Sequence, residues 1–248
     1  MLKEERFQQI LQYLQKDHKV ILSDLSKVLK VSEDTVRRDI KELSAQNLLK
    51  EVRGGALPHS PGPVDFKERE NYAIRKKQVI AKKAVGLLKQ GQVIILDSGT
   101  SALAVANAIP KDLNITVVTN SFPIIEMLAS RKDIEVFFAG GKLHRESFIT
   151  TGHDSISFFE NLRADIFFLG VCSIDLQQGV TGHYYEECAV KRAMIKSSRE
   201  VYALSTPEKL NTAEAFSICL VNSLSGIITS SSESSVMKPY KDAGITIV

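Results

Sequence analysis

Apolar residues change their period partway along this chain, and the change separates two kinds of structure. Near the N-terminus they recur at helical spacing. Phe7, Ile10, Leu11 and Leu14 predict a helix from about Lys3 to about Lys16. The β-branched pair Val20-Ile21 follows, and then Leu25, Val28 and Leu29 predict a second helix with Ser23 as its cap. Lys30-Val31 makes a turn. Ser32 is placed to cap a third helix, with Glu33 and Asp34 at its positive dipole end. On that helix Val36, Ile40 and Leu43 fall on one face, leaving Thr35, Arg37, Arg38 and Lys41 outside. Leu48 to Ala56 then alternates around a charged strand and runs into Gly54-Gly55, which predicts a β-hairpin.

Leu57-Pro58-His59-Ser60-Pro61-Gly62-Pro63 breaks regular structure and marks a boundary. The charge-dense stretch from Phe66 to Lys77 begins a linking helix, which Ile80, Ala84, Leu87 and Leu88 continue. From Val93 onward the apolar residues come in short unbroken runs, as in strands buried on both faces. These are Val93–Leu96, Ile115–Val118, Ile134–Phe138, Ile166–Leu169, Val201–Leu204, Ile227-Ile228 and Ile245–Val248. Helical patterns lie between them at Ala102–Ile109, Phe122–Ser130, Ser155–Leu162 and Glu187–Ser198. Such alternation predicts a mostly parallel α/β sheet. The expected organisation is a winged helix-turn-helix domain over 1–57, a linker over 58–76 and an α/β domain over 77–248.

Composition alters this picture only slightly. A hydrophobic content of 44% supports a real core, and the net charge of +3 is too small to signal nucleic-acid binding by itself. Its distribution says more: residues 1–80 carry a net +4 and residues 81–248 a net −1. The positive excess lies where the helix-turn-helix lies. Cys172, Cys188 and Cys219 are odd in number and form no CxxC pair, which suits reduced thiols. The five histidines lack zinc-ligand spacing, so neither a metal nor another cofactor is expected. No apolar run approaches the ~18 residues of a membrane span, and the charged start Lys3-Glu4-Glu5-Arg6 is unlike a signal peptide. The expectation is a soluble, cytoplasmic protein.

Two sets of residues carry candidate chemistry. A capped second helix of a helix-turn-helix enters the DNA major groove. The candidates for double-stranded DNA are therefore Ser32, Thr35, Arg37, Arg38 and Lys41, with Arg53 at the hairpin tip reaching a phosphate or the minor groove. An Arg-Arg pair also suits a plain solvated face, with Asp34 and Asp39 as its partners. In the second half, ligands of a parallel sheet bind beyond the carboxyl ends of the strands. The first such end reads Asp97-Ser98-Gly99-Thr100-Ser101 and leads into a helix, which makes a phosphate cradle. Asp97 would repel phosphate but can accept from sugar hydroxyls. Thr119-Asn120 and Gly140-Gly141 end the next two strands, and Lys209 follows a later one with a cation. Each of these also has a plain structural reading as a cap, a turn or a surface lysine.

Val31-Ser32, Thr35-Val36-Arg37-Arg38-Asp39-Ile40, Leu43 and Gly54-Gly55-Ala56 together resemble the N-terminal signature of the DeoR family of bacterial transcriptional regulators. The resemblance continues through Lys77-Gln78-Val79-Ile80-Ala81, Leu96–Thr100, Thr119-Asn120, Gly140-Gly141, Gly179-Val180-Thr181 and Val190–Met194. It implies an effector domain similar to ribose-5-phosphate isomerase, a phosphorylated sugar as effector, and a repressor that the effector releases. The chain departs from the family's usual residues at four places. These are Glu51, usually basic; Arg53, usually histidine; Ser101, usually threonine; and Thr206, usually aspartate. Because one small winged domain covers too little DNA, a homodimer or homotetramer is expected. The rival is a sugar-phosphate isomerase with an appended DNA-binding domain. It needs a placed carboxylate base, yet Leu169–Ile174 offers none before Asp175. A third possibility is an α/β domain that only oligomerises.

Overall fold

The computed structural model describes residues 1–17, 19–231 and 235–248. The N-terminal helices are α1 (Lys3–Asp17), α2 (Leu22–Leu29) and α3 (Glu33–Ala45). They close over Ile10, Leu14, Leu25, Leu29, Val36, Ile40 and Leu43, residues that the helical period puts on inner faces; Val28, expected with Leu25 and Leu29, is exposed instead. β1 (Val20–Ile21), β2 (Lys50–Val52) and β3 (Gly55–Leu57) form an antiparallel sheet in the order β1-β3-β2. The predicted hairpin is therefore a three-stranded wing. Ser23 does not cap α2: the helix already starts at Leu22, with Ile21 at the cap position and no side-chain cap bond. Val20-Ile21 pairs into the sheet and leaves no loop for Ser23 to close.

Between the two halves lie α4 (Phe66–Asn71) and α5 (Ile74–Val85). One linking helix was expected. The chain breaks at Ala73, which takes a left-handed conformation, and Leu87 and Leu88 lie beyond the end of α5.

The large sheet contains β4 (Val93–Leu96), β5 (Ile115–Thr119) and β6 (Ile134–Phe138), separated by α6 (Thr100–Ala108) and α7 (Phe122–Leu128). After a small hairpin, β7 (Lys142–His144) and β8 (Ile149–Thr151), come α8 (His153–Glu160) and β9 (Ala164–Gly170). β10 (Ser173–Asp175), β11 (Gly179–Gly182), α9 (Tyr185–Lys196), β12 (Ser198–Ser205), β13 (Phe216–Cys219), β14 (Gly226–Thr229) and α10 (Lys238–Asp242) complete the chain. Six strands form a parallel sheet in the order β14-β12-β9-β4-β5-β6. β10, β11 and β13 form a separate antiparallel sheet. Ile245–Val248 was expected as a strand. Its end pairs parallel to the edge of β14, with Ile227 N–H donating to the Thr246 carbonyl at 2.8 Å, Val248 N–H to the Ile227 carbonyl at 2.9 Å and Thr229 N–H to the Val248 carbonyl at 3.1 Å, a pairing too short to make a full strand.

Alternate residues of each central strand feed two cores. Ile95, Phe167, Leu169 and Ala203 face one side with Val190 and Met194 of α9. Ile94, Leu96, Phe168 and Leu204 face the other side with Ile80, Ala84 and Val105 of α5 and α6. Burial on both faces explains why these strands read as unbroken apolar runs. From β4 the sheet grows one way through β5 and β6, and from its other neighbour, β9, the opposite way. The topological switch point, where ligands of such sheets bind, thus lies at the carboxyl ends of β4 and β9. No helix of the described residues is long and apolar enough to cross a membrane.

The wing tolerates no side chain at Gly55, where a Cβ would stand 1.8 Å from the Val20 carbonyl oxygen. We expect Gly55→Ala to destabilise the N-terminal domain by about 1–3 kcal/mol or more, read by urea unfolding. Unchanged stability would mean that β1 and β3 can part without cost.

Candidate functional site

α3 is built to present its outer face. The Ser32 hydroxyl accepts from Thr35 N–H at 3.2 Å, and a buried bidentate pair, Arg6 to Asp39 at 2.7 and 3.0 Å, clamps the helix to α1. Asp39 is thus taken by Arg6, not by an arginine of α3. Arg37 leans back on Asp34, one turn earlier. Arg38 and Lys41 are exposed, Thr35 is half-buried, and among the described residues Arg38 has no ion-pair partner. Arg37 and Arg53 line opposite sides of one groove between α3 and the wing. Glu33 and Glu51 line the same groove, and the exposed cations Arg38 and Lys41 stand on the helix beside the wing tip.

At the switch point the loop after β4 turns into α6. Gly99 has φ of +101°, and nothing lies within 4 Å of where its Cβ would be, so the backbone is open to close approach. No side chain caps α6, which leaves the N–H groups of its first turn free for an anion. Thr100, Ser101, Cys172, Lys209 and Arg69 line two adjoining cavities here. Ser98 and Gly99 line the second, beside Glu187 and Lys191.

Asp97 does something different from what was expected of it. It is buried, and its carboxylate accepts from Lys191 Nζ at 2.7 Å, from Gly170 N–H at 2.8 Å and from Ser98 N–H at 2.7 Å. With both oxygens occupied, it orients the loop and has nothing left for a sugar hydroxyl. Lys191 also donates to the Gly170 carbonyl at 2.8 Å and pairs with Glu187 at 3.1 Å. Burial alone would lower the pKa of Lys191, but Asp97 and Glu187 outweigh it and raise it. Burial likewise opposes ionisation of Glu187, yet Lys191 holds its pKa down at about 2.

Thr119, Asn120, Gly140 and Gly141 are not among the residues lining these cavities, which corrects the expectation of one composite pocket. Asn120 donates to the Thr150 carbonyl at 2.7 Å, and the Thr119 hydroxyl accepts from Ser121 N–H at 3.1 Å. The Gly140 carbonyl accepts from Ser155 at 2.6 Å. These polar atoms pin the β7–β8 hairpin and α8 to the sheet.

The segment read as a linker forms the outer wall. Ser60, Gly62, Pro63, Arg69, Tyr72 and Ala73 line the first cavity, with Lys77 of α5 beside them. Glu214 holds the segment down: it accepts from Ser60 N–H at 2.9 Å and pairs at 3.1 Å with both His59 and His183. Burial opposes ionisation of Glu214, but these partners overcome it and bring its pKa to about 2. Glu208 accepts from Tyr72 at 3.3 Å and from Lys76 at 2.9 Å. Arg69, Tyr72, Lys77, His183 and Lys191 were not singled out from the sequence as site residues. Lys77 and Lys191 stood only inside motif stretches of the family resemblance.

A family profile described as the DeoR-like helix-turn-helix domain matches residues 6–61. A second, described as the DeoR C terminal sensor domain, matches residues 72–231. The chain belongs to the DeoR family. Among curated DeoR-type relatives, the HTH-type transcriptional repressor GlcR of Bacillus subtilis is 31% identical, over 92% of this chain and 89% of its own. The glycerol-3-phosphate regulon repressor of Escherichia coli is 31% identical, over 81% and 80%. The HTH-type transcriptional regulator GolR of Listeria innocua is 29% identical, over 98% and 97%. Among solved structures, ribose 5-phosphate isomerase A of Methanocaldococcus jannaschii overlaps 54% of this chain and 53% of its own. Its TM-score is 0.41 and its identity 18%, a partial likeness. Most of the site of this DeoR-family chain thus lies inside the sensor match, while Ser60 on its wall comes from the helix-turn-helix match and Gly62, Pro63 and Arg69 fall between the two.

Removing Lys191 would leave two carboxylates buried around an empty centre. We expect Lys191→Met to cost about 3–5 kcal/mol in urea unfolding, and Asp97→Asn added to it to restore part of the loss. A neutral Lys191→Met would show that the loop needs no counter-ion.

Proposed function

We propose that this chain is a DNA-binding repressor of sugar-metabolism genes, released from its operator by a phosphorylated sugar. The observation that carries this reading is the cationic cleft at the sheet's switch point, walled by the segment that leads to the DNA-reading head. Ser32, Thr35, Arg37, Arg38, Lys41 and Arg53 form the DNA surface. Gly99, Thr100 and Ser101 cradle the phosphate, Lys209 adds charge, and Ser98 and Asp97 fix the loop behind it. The names of the relatives agree: one represses a glycerol-3-phosphate regulon. The division into 1–57, 58–76 and 77–248 remains our reading of the domains, with 58–76 acting as a strap rather than a free tether. The protein works in the cytoplasm, where its operator is.

The isomerase alternative is disfavoured by the state of the carboxylates. A general base needs a pKa near the working pH. Glu187, held near 2 by Lys191, is far from that; burial raises the pKa of Asp97, against Lys191, but both its oxygens are bound within the loop and α9. Asp175 accepts from Gln177 and Gln178 N–H in the β10–β11 turn and lines neither cavity of the cleft. A cleft with anion donors and no available base suits sensing.

We read the active form as a homodimer or homotetramer, because paired half-sites supply the affinity that one head lacks. Light scattering that finds a monomer both with and without DNA would remove this part. On an operator selected from random duplex, we expect Arg38→Ala to cost more than Arg37→Ala, since Asp34 already occupies Arg37. If Arg38 reads a base, the cost is about 1–3 kcal/mol of discrimination. If it holds a phosphate, binding weakens on all sequences and the salt slope falls by about one. Unchanged affinity in both variants at fixed salt would sink the assignment of α3.

A further inference from the structure

Three cations meet at the cleft without carboxylate partners. Arg69 comes from α4, Lys77 from α5, and Lys209 from the turn after β12. Arg69 and Lys209 line both cavities together with Thr100 and Ser101. Lys77 is buried and donates to the Arg69 carbonyl, while Lys209 donates to the Val171 carbonyl at 2.6 Å. Carbonyls hold these ammonium groups in place without neutralising them. The nearby acids are taken: Glu208 by Lys76, Glu187 by Lys191. Among the described residues, Arg69 Nε and the buried Thr206 hydroxyl at the cleft lack any hydrogen-bond partner. Like charges gathered with unused donors are costly in an empty fold and are compensated by a bound anion.

One of the three cations, Arg69, lies on the segment that leads to the DNA-reading head, and Lys77 lies in the first turn of α5, directly after it. The free space behind that segment is about 30 Å³, room for about two waters and too little for a sugar phosphate. A sugar phosphate reaching into that space would displace the segment. The head is also close to the same turn: Leu14 and Gln15 of α1 share a groove with Pro58, Pro207 and Glu208.

We propose that the connecting segment takes part in gripping the phosphate group: Arg69 of the segment and Lys77 of α5, the helix it runs into, complete with Lys209 and the start of α6 a subsite for a phosphate monoester dianion. Occupancy then repositions the segment and, through it, the head. This rests on the repressor reading above and names the mechanical link that the reading lacks. The binding step carries its own signature. Burial first, and then Lys209 and Arg69, lower the Lys77 pKa to about 8, with Glu70 opposing them. A dianion beside Lys77 reverses that shift, so binding near pH 8 takes up to about half a proton from solution.

The test uses the full chain and inorganic phosphate, with chloride at equal ionic strength as the control. Thermal shift and calorimetry are run on wild type, Arg69→Ala, Arg69→Lys, Lys77→Met and Lys209→Ala. We expect phosphate to stabilise wild type, affinity to fall about tenfold in each charge-removing variant, and Arg69→Lys to recover part of it. Calorimetry in two buffers of different ionisation heat should show proton uptake in wild type and none in Lys77→Met. Hydrogen exchange on wild type, which needs no variant to fold, should slow across residues 58–73 on adding phosphate. Loss confined to Lys209→Ala, with Arg69→Ala and Lys77→Met like wild type, overturns the grip and leaves the phosphate cradle standing. So does unchanged exchange over 58–73 in phosphate-stabilised protein. Wild type that ignores phosphate overturns both.

Discussion

Lys191 sits on α9 with its ammonium group in the protein interior, where an ion survives only if it is paired and hydrogen-bonded. It reaches Asp97 at the end of β4, the carbonyl of Gly170 at the end of β9, and Glu187 one turn back on its own helix. These contacts span the point where the parallel sheet reverses direction. They fix the distance between the two strand ends and hold the Asp97–Ser101 loop open toward the cleft. Lys191 balances one of the two carboxylates and ties up both. Arg69, Lys77 and Lys209 then make the cleft's balance positive, which is the basis for proposing an anion there.

That charge balance links the two halves of the protein. A cleft with surplus cations would be poorly stable if all of them came from the rigid α/β domain. Here part of the surplus is carried by the segment between the head and the sheet, which is held shut by Glu208 and Glu214. The turn carrying Glu208 outward to the segment carries Lys209 inward to the cleft. An anion arriving at Lys209 therefore changes the balance on both sides of one short turn. A two-state element biased at one end by ligand and at the other by DNA is what coupling of about 1–3 kcal/mol requires.

The sequence made some of this readable and hid the rest for physical reasons. α3 was legible because a capping serine and an i, i+4, i+7 apolar face are local signals. β4, β5, β6, β9 and β12 were legible because burial on both faces forces apolar runs. β7, β8, β10, β11 and β13 were not, being short and polar and formed only through tertiary pairing. The Asp97–Ser101 loop was identified, but Asp97 was given to a sugar hydroxyl because its partner, Lys191, lies 94 residues away. Asn120 and Gly140-Gly141 were drawn into the pocket by their places at strand ends. Strand ends supply hairpin anchors as readily as ligand contacts, and only the fold distinguishes them. Arg69 and Lys77 lay in a charge-dense stretch that looked like solvated linker, since nothing local shows that it folds back over the sheet.

The central claim is that a phosphate group at the switch point releases the head from DNA. It is tested most directly by titrating the operator-bound full chain at fixed ionic strength with phosphorylated sugars and polyols, each beside its unphosphorylated parent, and reading the bound fraction by gel shift. The account predicts release by at least one phosphorylated compound and none by its parent at the same concentration. Release by parent and phosphate ester alike, or by neither across the panel, would contradict it.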